Sequence, residues 1–94
     1  MIYKIKFTPI SQKEWKKIDS NVKSYFKKKL EKIIYNPRIS KNKISGYNNI
    51  YKIKLRSSGF RLAYEVKDKE IVILVLSVSK RENNKVYNNL RDRI

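Results

Sequence analysis

The sequence predicts an α+β domain spanning residues 1–94: an N-terminal strand, a helical hairpin on one face of a mainly antiparallel four-stranded sheet, and a short C-terminal helix. Three observations carry that expectation. Short segments at the start and in the second half alternate apolar and charged residues with a period of two. One long stretch repeats its apolar residues every three or four positions, the period of an α-helix. The chain has only 94 residues, 40% of them hydrophobic, with 2 Gly and 2 Pro, a composition that suits one globular core.

Tyr3-Lys4-Ile5-Lys6-Phe7 reads as the first strand, ended by Pro9. Ser11 and Glu14 have capping-box spacing, which places a helix start there. Trp15, Ile18, Val22, Phe26, Leu30 and Ile33/Ile34 then form an apolar stripe. Asp19-Ser20-Asn21 interrupts it as a second cap, so two helices are expected before Asn36-Pro37. Lysines crowd the opposite face.

Residues 37–49 form a polar loop around Gly46. Tyr51–Arg56 and Phe60–Val66 read as paired strands, and a two-residue turn at Ser58-Gly59 would set Leu55 beside Leu62, Lys54 beside Ala63 and Lys52 beside Glu65. A slip of one residue would drive cations into the core, so the faces are well specified. Ile71–Leu76 is a continuous apolar strand of the kind buried on both faces. Ser77–Arg81 leads out of it to a helix marked by Val86, Leu90 and Ile94, with Tyr87 alongside.

Charge narrows the function. With 24 Lys and Arg against 8 Asp and Glu, the formal charge is +16, which points to a polyanionic partner. Part of the excess reflects a general richness in Lys, Asn and Ile. Cys and His are both missing, which excludes disulfides and thiolate catalysis and removes the commonest metal ligand and general base. The longest apolar run is far below the roughly 20 residues a membrane span needs. The N-terminus lacks the apolar core of a secretion signal, so a cytoplasmic protein is expected, with no cofactor or metal.

Chemistry is expected on the sheet face away from the helices. Lys52, Lys54, Arg56 and Arg61 gather on two paired strands, Arg81 enters from the next, and Tyr87 follows. Like charges on neighbouring strands cost roughly 0.2–1 kcal/mol per pair, and Ala63 would leave room above the sheet. A phosphodiester would fit such a patch. A solvated strand face carrying lysines by chance would look the same in one dimension; Arg56 could pair with Glu65 or Glu82, and Tyr87 could rim the core. Trp15, Tyr25 and Phe26 are read as packing residues.

The segment Tyr51-Lys-Ile-Lys-Leu-Arg-Ser-Ser-Gly-Phe-Arg-Leu-Ala-Tyr64 resembles the central hairpin of the RelE toxins, a branch of the RelE/ParE superfamily of type II toxin–antitoxin systems. So do Lys13-Glu-Trp15, Phe26-Lys-Lys-Lys-Leu30, Asn36-Pro-Arg-Ile39, Asn42-Lys43, Lys80-Arg-Glu82 and Val86-Tyr87, covering essentially the whole chain. The resemblance implies the RelE-like microbial RNase fold and a metal-independent endoribonuclease that cuts mRNA in the ribosomal A site. It implies as partners a RelB-like antitoxin, the ribosome with its small-subunit RNA, and operator DNA only through the antitoxin. The family's catalytic cluster carries over onto Lys52, Lys54, Arg61, Arg81 and Tyr87. Lys13, Lys23, Lys27, Lys28, Lys43 and Arg56 are the expected contacts to RNA and the ribosome. The family places an arginine before the glycine at Gly46; here it is Ser45, so a phosphate contact is lost or passes to Lys43. Phe60 stands where a tyrosine hydroxyl is usual.

RNA cleavage of this kind deprotonates the 2′-OH, stabilises the phosphorane and protonates the leaving 5′ oxygen. Lysines lose basicity when crowded by cations, so Lys54 is the first choice of base, with Lys52 as its support or substitute. Tyr87 is the other possible acceptor, or stacks on a base. Arg61 would hold the phosphorane and Arg81 the leaving oxygen. Alternatives on the same fold are a ParE-like gyrase poison and a non-catalytic nucleic-acid-binding or autoregulatory module.

Overall fold

A computed structural model describes residues 2–80. The chain runs β1 (Lys4–Phe7), α1 (Pro9–Lys17), α2 (Ser20–Ile33), a 3-10 turn (Ser40–Asn42), β2 (Ile50–Leu55), β3 (Phe60–Lys67) and β4 (Val72–Lys80). The strands form one sheet in the order β1-β4-β3-β2, with β1 parallel to β4 and the other neighbours antiparallel. Both helices lie on one sheet face, as the apolar stripe predicts. Arg81, Tyr87 and the expected C-terminal helix lie outside the described residues.

The first helix starts earlier than the Ser11–Glu14 spacing suggests. Thr8 is the N-cap, its hydroxyl accepting from the Ser11 amide at 3.1 Å, and Pro9 follows at the first helical position. Tertiary contacts claim the two box residues. Ser11 Oγ is fully buried and donates to the Val75 carbonyl at 2.7 Å. Glu14 Oε1 accepts from the Val78 amide at 3.1 Å, beyond the point where β1 ends its pairing with β4 at Phe7–Val75. The second cap is where it is expected, with Asp19 accepting from the Val22 amide at 2.9 Å. Val22, Phe26, Leu30 and Ile33 form the buried face of α2.

That face meets Tyr51, Ile53, Leu62, Tyr64, Val66, Ile73, Val75 and Val78 in the main core. The Tyr51 and Tyr64 rings stack across the β2–β3 pair with centroids 5.7 Å apart. Tyr64 donates to the Pro37 carbonyl at 2.8 Å, which anchors the chain as it leaves α2. A smaller core lies on the other sheet face, where Ile44 and Tyr47 of the loop cover Ile50, Ala63, Leu74 and Leu76.

The hairpin register differs from the expected one by two residues. Leu55 pairs with Phe60, Lys54 with Arg61, Ile53 with Leu62 and Lys52 with Ala63. The loop holds four residues, Arg56-Ser57-Ser58-Gly59, and closes through the Gly59 amide to the Leu55 carbonyl at 2.9 Å with Gly59 at φ 75°. Glycine takes that left-handed conformation without a Cβ clash, which makes the longer loop accessible. A shift of two keeps every side chain on its face, so the core is as expected and only the cross-strand partners change.

The fourth strand also departs from expectation. Ile71 sits in the preceding turn at φ 55°, and the strand continues through Ser77, Val78 and Ser79 to Lys80. A bulge opposite the Ala63–Tyr64 step inserts Leu76 between Val75 and Ser77. It keeps Val75 and Val78 in the main core while Leu76 joins the smaller one.

Candidate active site

The upper half of the helix-free sheet face is cationic because of the register just described. Lys54, Arg61 and Ser79 stand side by side across β2, β3 and β4, and Lys52, Ala63 and Ser77 form the next row. The Lys54 carbonyl points away from β3, since it accepts from the Tyr25 hydroxyl of α2 at 3.0 Å. Lys54 and Arg61 are therefore a non-hydrogen-bonded pair, the kind in which facing side chains approach most closely. Two cations so placed repel each other and attract a shared anion.

Burial divides the work between them. Arg61 is 8% exposed, so its guanidinium is largely withdrawn from water and its fork of donors has little freedom to reorient. Lys54 is exposed and Lys52 partly so. Lys54, Arg56 and Arg61 line one hollow of about 300 Å³, closed by Leu55, Gly59 and Phe60. Arg56 sits in the hairpin loop, whereas Glu65 lies opposite Ile50, so Lys52 and Glu65 are diagonal neighbours and not the directly opposed pair expected, and Arg56 is at the far end of the hairpin from Glu65. Ala63 leaves no open space above it; it is fully buried under Ile44, Ile50 and Leu76. The free space is at the hairpin end, next to Arg61.

Lys52, Lys54, Arg56 and Arg61 are thus brought together. Lys13 of α1 and Lys23, Lys27 and Lys28 of α2 belong to the helical layer on the other side of the sheet, where all but the half-buried Lys23 are exposed. Lys43 is exposed and pairs by an isolated bridge with Tyr51 on the edge strand β2. Ser45 beside it is exposed, and Gly46 has φ 90°. Among the described residues no three His, Cys, Asp or Glu side chains come close enough to hold a metal ion.

The structure adds residues that the sequence does not single out. Tyr25, read as packing, ties α2 to the Lys54 backbone, and Lys29 Nζ lies 5.6 Å from its ring centroid. Ser77 Oγ and Ser79 Oγ are buried beside Ala63 and Arg61 without hydrogen-bond partners among the described residues. Their period-two spacing next to the cationic strands is the one signal that could have found them.

Comparison with known proteins converges on one family. Residues 5–91 match the model of the ParE-like toxin of type II bacterial toxin–antitoxin systems. The chain is 47% identical to the mRNA interferase toxin RelE of Escherichia coli K12 over 94 residues, covering 100% of this chain and 99% of that one. Its fold is similar to a mutant of the E. coli toxin RelE in the free state, with a TM-score of 0.92, 46% identity and coverage of 100% and 99%. It is also similar to the toxin-fold chain in the intact E. coli RelBE toxin–antitoxin complex, with a TM-score of 0.83 and 47% identity over 86% of this chain and 99% of that one.

Proposed function

The chain belongs to the ParE-like toxin family of type II toxin–antitoxin systems, and on that premise we propose that it stops translation by cutting mRNA held in the ribosomal A site. It is an mRNA interferase of the RelE kind, an endoribonuclease, and its partner is a RelB-like antitoxin. The observation that carries the catalytic reading is the Lys54–Arg61 pair, two cations facing each other beside an open hollow that also holds Arg56.

In the proposed reaction Lys54 takes the proton of the substrate 2′-OH, with Lys52 beside it as electrostatic support. The 2′ oxygen attacks the adjacent phosphorus, a 2′-O–P bond forms and the P–O5′ bond breaks. Arg61 stabilises the doubly charged phosphorane with donors that burial has already oriented. Arg81 is assigned to the leaving 5′ oxygen, whose charge it stabilises while that oxygen takes a proton from Arg81 or from water, and Tyr87 to stacking on a base or orienting the 2′-OH. The products are a 2′,3′-cyclic phosphate and a 5′-OH.

At neutral pH a lysine of ordinary pKa, about 10.4, is almost wholly protonated, so little free amine is present to accept a proton. The ribosome supplies what the toxin lacks by holding the message with its 2′-OH in line with the bond to be broken. Free RNA is therefore a poor substrate. Ribosomes also fix where the protein acts, which places it in the cytoplasm; among the described residues no helix is long and apolar enough to cross a membrane. Lys13, Lys23, Lys27, Lys28, Lys43 and Arg56 then serve as contacts to RNA phosphates, and operator DNA is reached only through the antitoxin.

Inducing the chain without antitoxin and mapping message 5′ ends tests the reading. In-frame cuts within codons are expected. Intact messages with DNA damage would indicate a gyrase poison, and the loss of neither would leave a binding module.

A further inference from the structure

A hollow roomier than the one beside Arg61 lies along the outer edge of β2, and the sequence gives no reason to expect it. Its floor is the edge strand at Lys52-Ile53-Lys54. One wall is α2, through Tyr25, Lys29 and Lys32, and the other is the 3-10 turn with Lys41 and Asn42. The volume is about 500 Å³. Among the described residues six cations line it, Lys29, Lys32, Lys41, Lys52, Lys54 and Arg56, and no carboxylate does.

Such a channel does not fold for its own stability. Lysines brought to both walls repel each other, and a concave low-dielectric shape concentrates their potential. The Tyr25 hydroxyl and the Lys29 cation are held at its Lys54 end by the contacts described above. Lys52 and Lys54 belong to both places: they stand on its floor and at the proposed scission centre. A strand whose scissile link sits on Lys54 and Arg61 therefore has one continuous positive path along which to leave.

We infer that this β2-edge groove is a track for the RNA strand adjoining the scissile phosphodiester, with Lys29, Lys32 and Lys41 gripping its phosphates. The inference rests on the proposed cleavage reading and extends it to three side chains outside the catalytic cluster. Its ligand class is single-stranded RNA, read through the backbone and without base preference, because the lining offers cations and few hydrogen-bond acceptors.

The test compares two triple variants of the full chain. Lys29→Gln/Lys32→Gln/Lys41→Gln removes three charges from the groove, and Lys4→Gln/Lys6→Gln/Lys17→Gln removes three from the opposite sheet edge and α1. Binding to a single-stranded RNA dodecamer, 2′-deoxy at every position that could be cut, is measured by anisotropy across a salt series. Each phosphate contact contributes a slope of about −0.7 in log K against log salt, so the groove variant should lose about 2 in slope and the control much less. On programmed ribosomes the groove variant should raise KM several-fold and leave kcat within about twofold. Equal slopes for the two variants would overturn the inference, as would a groove variant that loses antitoxin affinity with RNA binding unchanged. If the wild-type chain shows the groove-dependent slope but does not cut ribosome-bound message, the track stands and the cleavage reading falls. If it cuts and the groove variant matches it in KM and slope, the reverse holds.

Discussion

The Tyr25 hydroxyl donates to the carbonyl of Lys54 at 3.0 Å, so a helix residue fixes the backbone of the lysine proposed as general base. Lys54 is on β2, the edge strand among the described residues, where one side of its backbone has no neighbouring strand to define it. Tyr25→Phe keeps the ring and removes only the donor. A hydrogen bond of this kind contributes about 0.5–1.5 kcal/mol, so kcat on programmed ribosomes should fall ~2–10-fold with KM unchanged. A change confined to KM would mean that Tyr25 serves binding and not the placement of Lys54.

Arg61 is the side chain on which the phosphorane would depend most. Arg61→Gln should lower kcat by about 10²–10³-fold, the effect of deleting one strong donor to a developing oxyanion, with much smaller change in ribosome affinity. Arg61→Lys should recover only part of the rate, because an ammonium cannot reproduce the planar fork. Single-turnover cleavage separates these effects, with the melting temperature as a check on folding. A variant that binds ribosomes poorly but cuts at the wild-type rate when saturated would place Arg61 in binding alone.

Burial of the Tyr64 phenol, with the neighbouring Tyr51 adding to it, pushes its pKa well above the ordinary tyrosine value of 10.0. A raised folded value means that the native state holds the proton more tightly than the unfolded chain. The associated stability is whole below pH ~10 and is lost as pH rises through the folded value. Urea midpoints between pH ~8 and ~11 should therefore fall on the alkaline side in the wild type and flatten in Tyr64→Phe. The variant should also be less stable at neutral pH by about 1–3 kcal/mol, since the Pro37 carbonyl loses its donor. An unchanged alkaline limb would show that Tyr64 does not set it.

Asp68 behaves with the opposite sign. Hydrogen bonds from Arg38 and Tyr3 hold its carboxyl below the ordinary aspartate range. The stability it adds is present above its unfolded value and disappears as pH falls through the lower folded one. Arg38 also donates to Asn49 at 3.0 Å and to the Tyr51 hydroxyl at 3.3 Å, so this cluster holds the 37–49 loop against the β3–β4 turn. Asp68→Asn should reduce the slope of stability against pH in the acid region and speed proteolysis of the loop. Equal acid slopes in variant and wild type would contradict the assignment.

Which side chains share a face was legible in the sequence, and which ones touch was not. Period-two alternation places Lys52, Lys54 and Arg61 together on the helix-free face, and that survives a register error of two because parity is all it encodes. Loop length depends on one glycine adopting φ 75°, which is equally compatible with a turn of two residues or four. The cap was ambiguous for a similar reason. Thr8-Pro9 and Ser11–Glu14 are both valid helix starts, and the buried bond from Ser11 to Val75 with the Glu14–Val78 contact decides between them. Tyr25 at helical spacing resembles any core aromatic. Only the sheet edge beneath it reveals what its hydroxyl holds.

A single chemical substitution in the substrate tests the centre most directly. Ribosomes are programmed with a message carrying one 2′-deoxy nucleotide at the codon position that is otherwise cut, and the full chain is added. Cleavage there should stop, while the all-ribose message yields fragments ending in a 2′,3′-cyclic phosphate and beginning with a 5′-OH. Cleavage of the deoxy message at an undiminished rate, or fragments with 5′-phosphates, would show that the attacking oxygen is not the substrate's own.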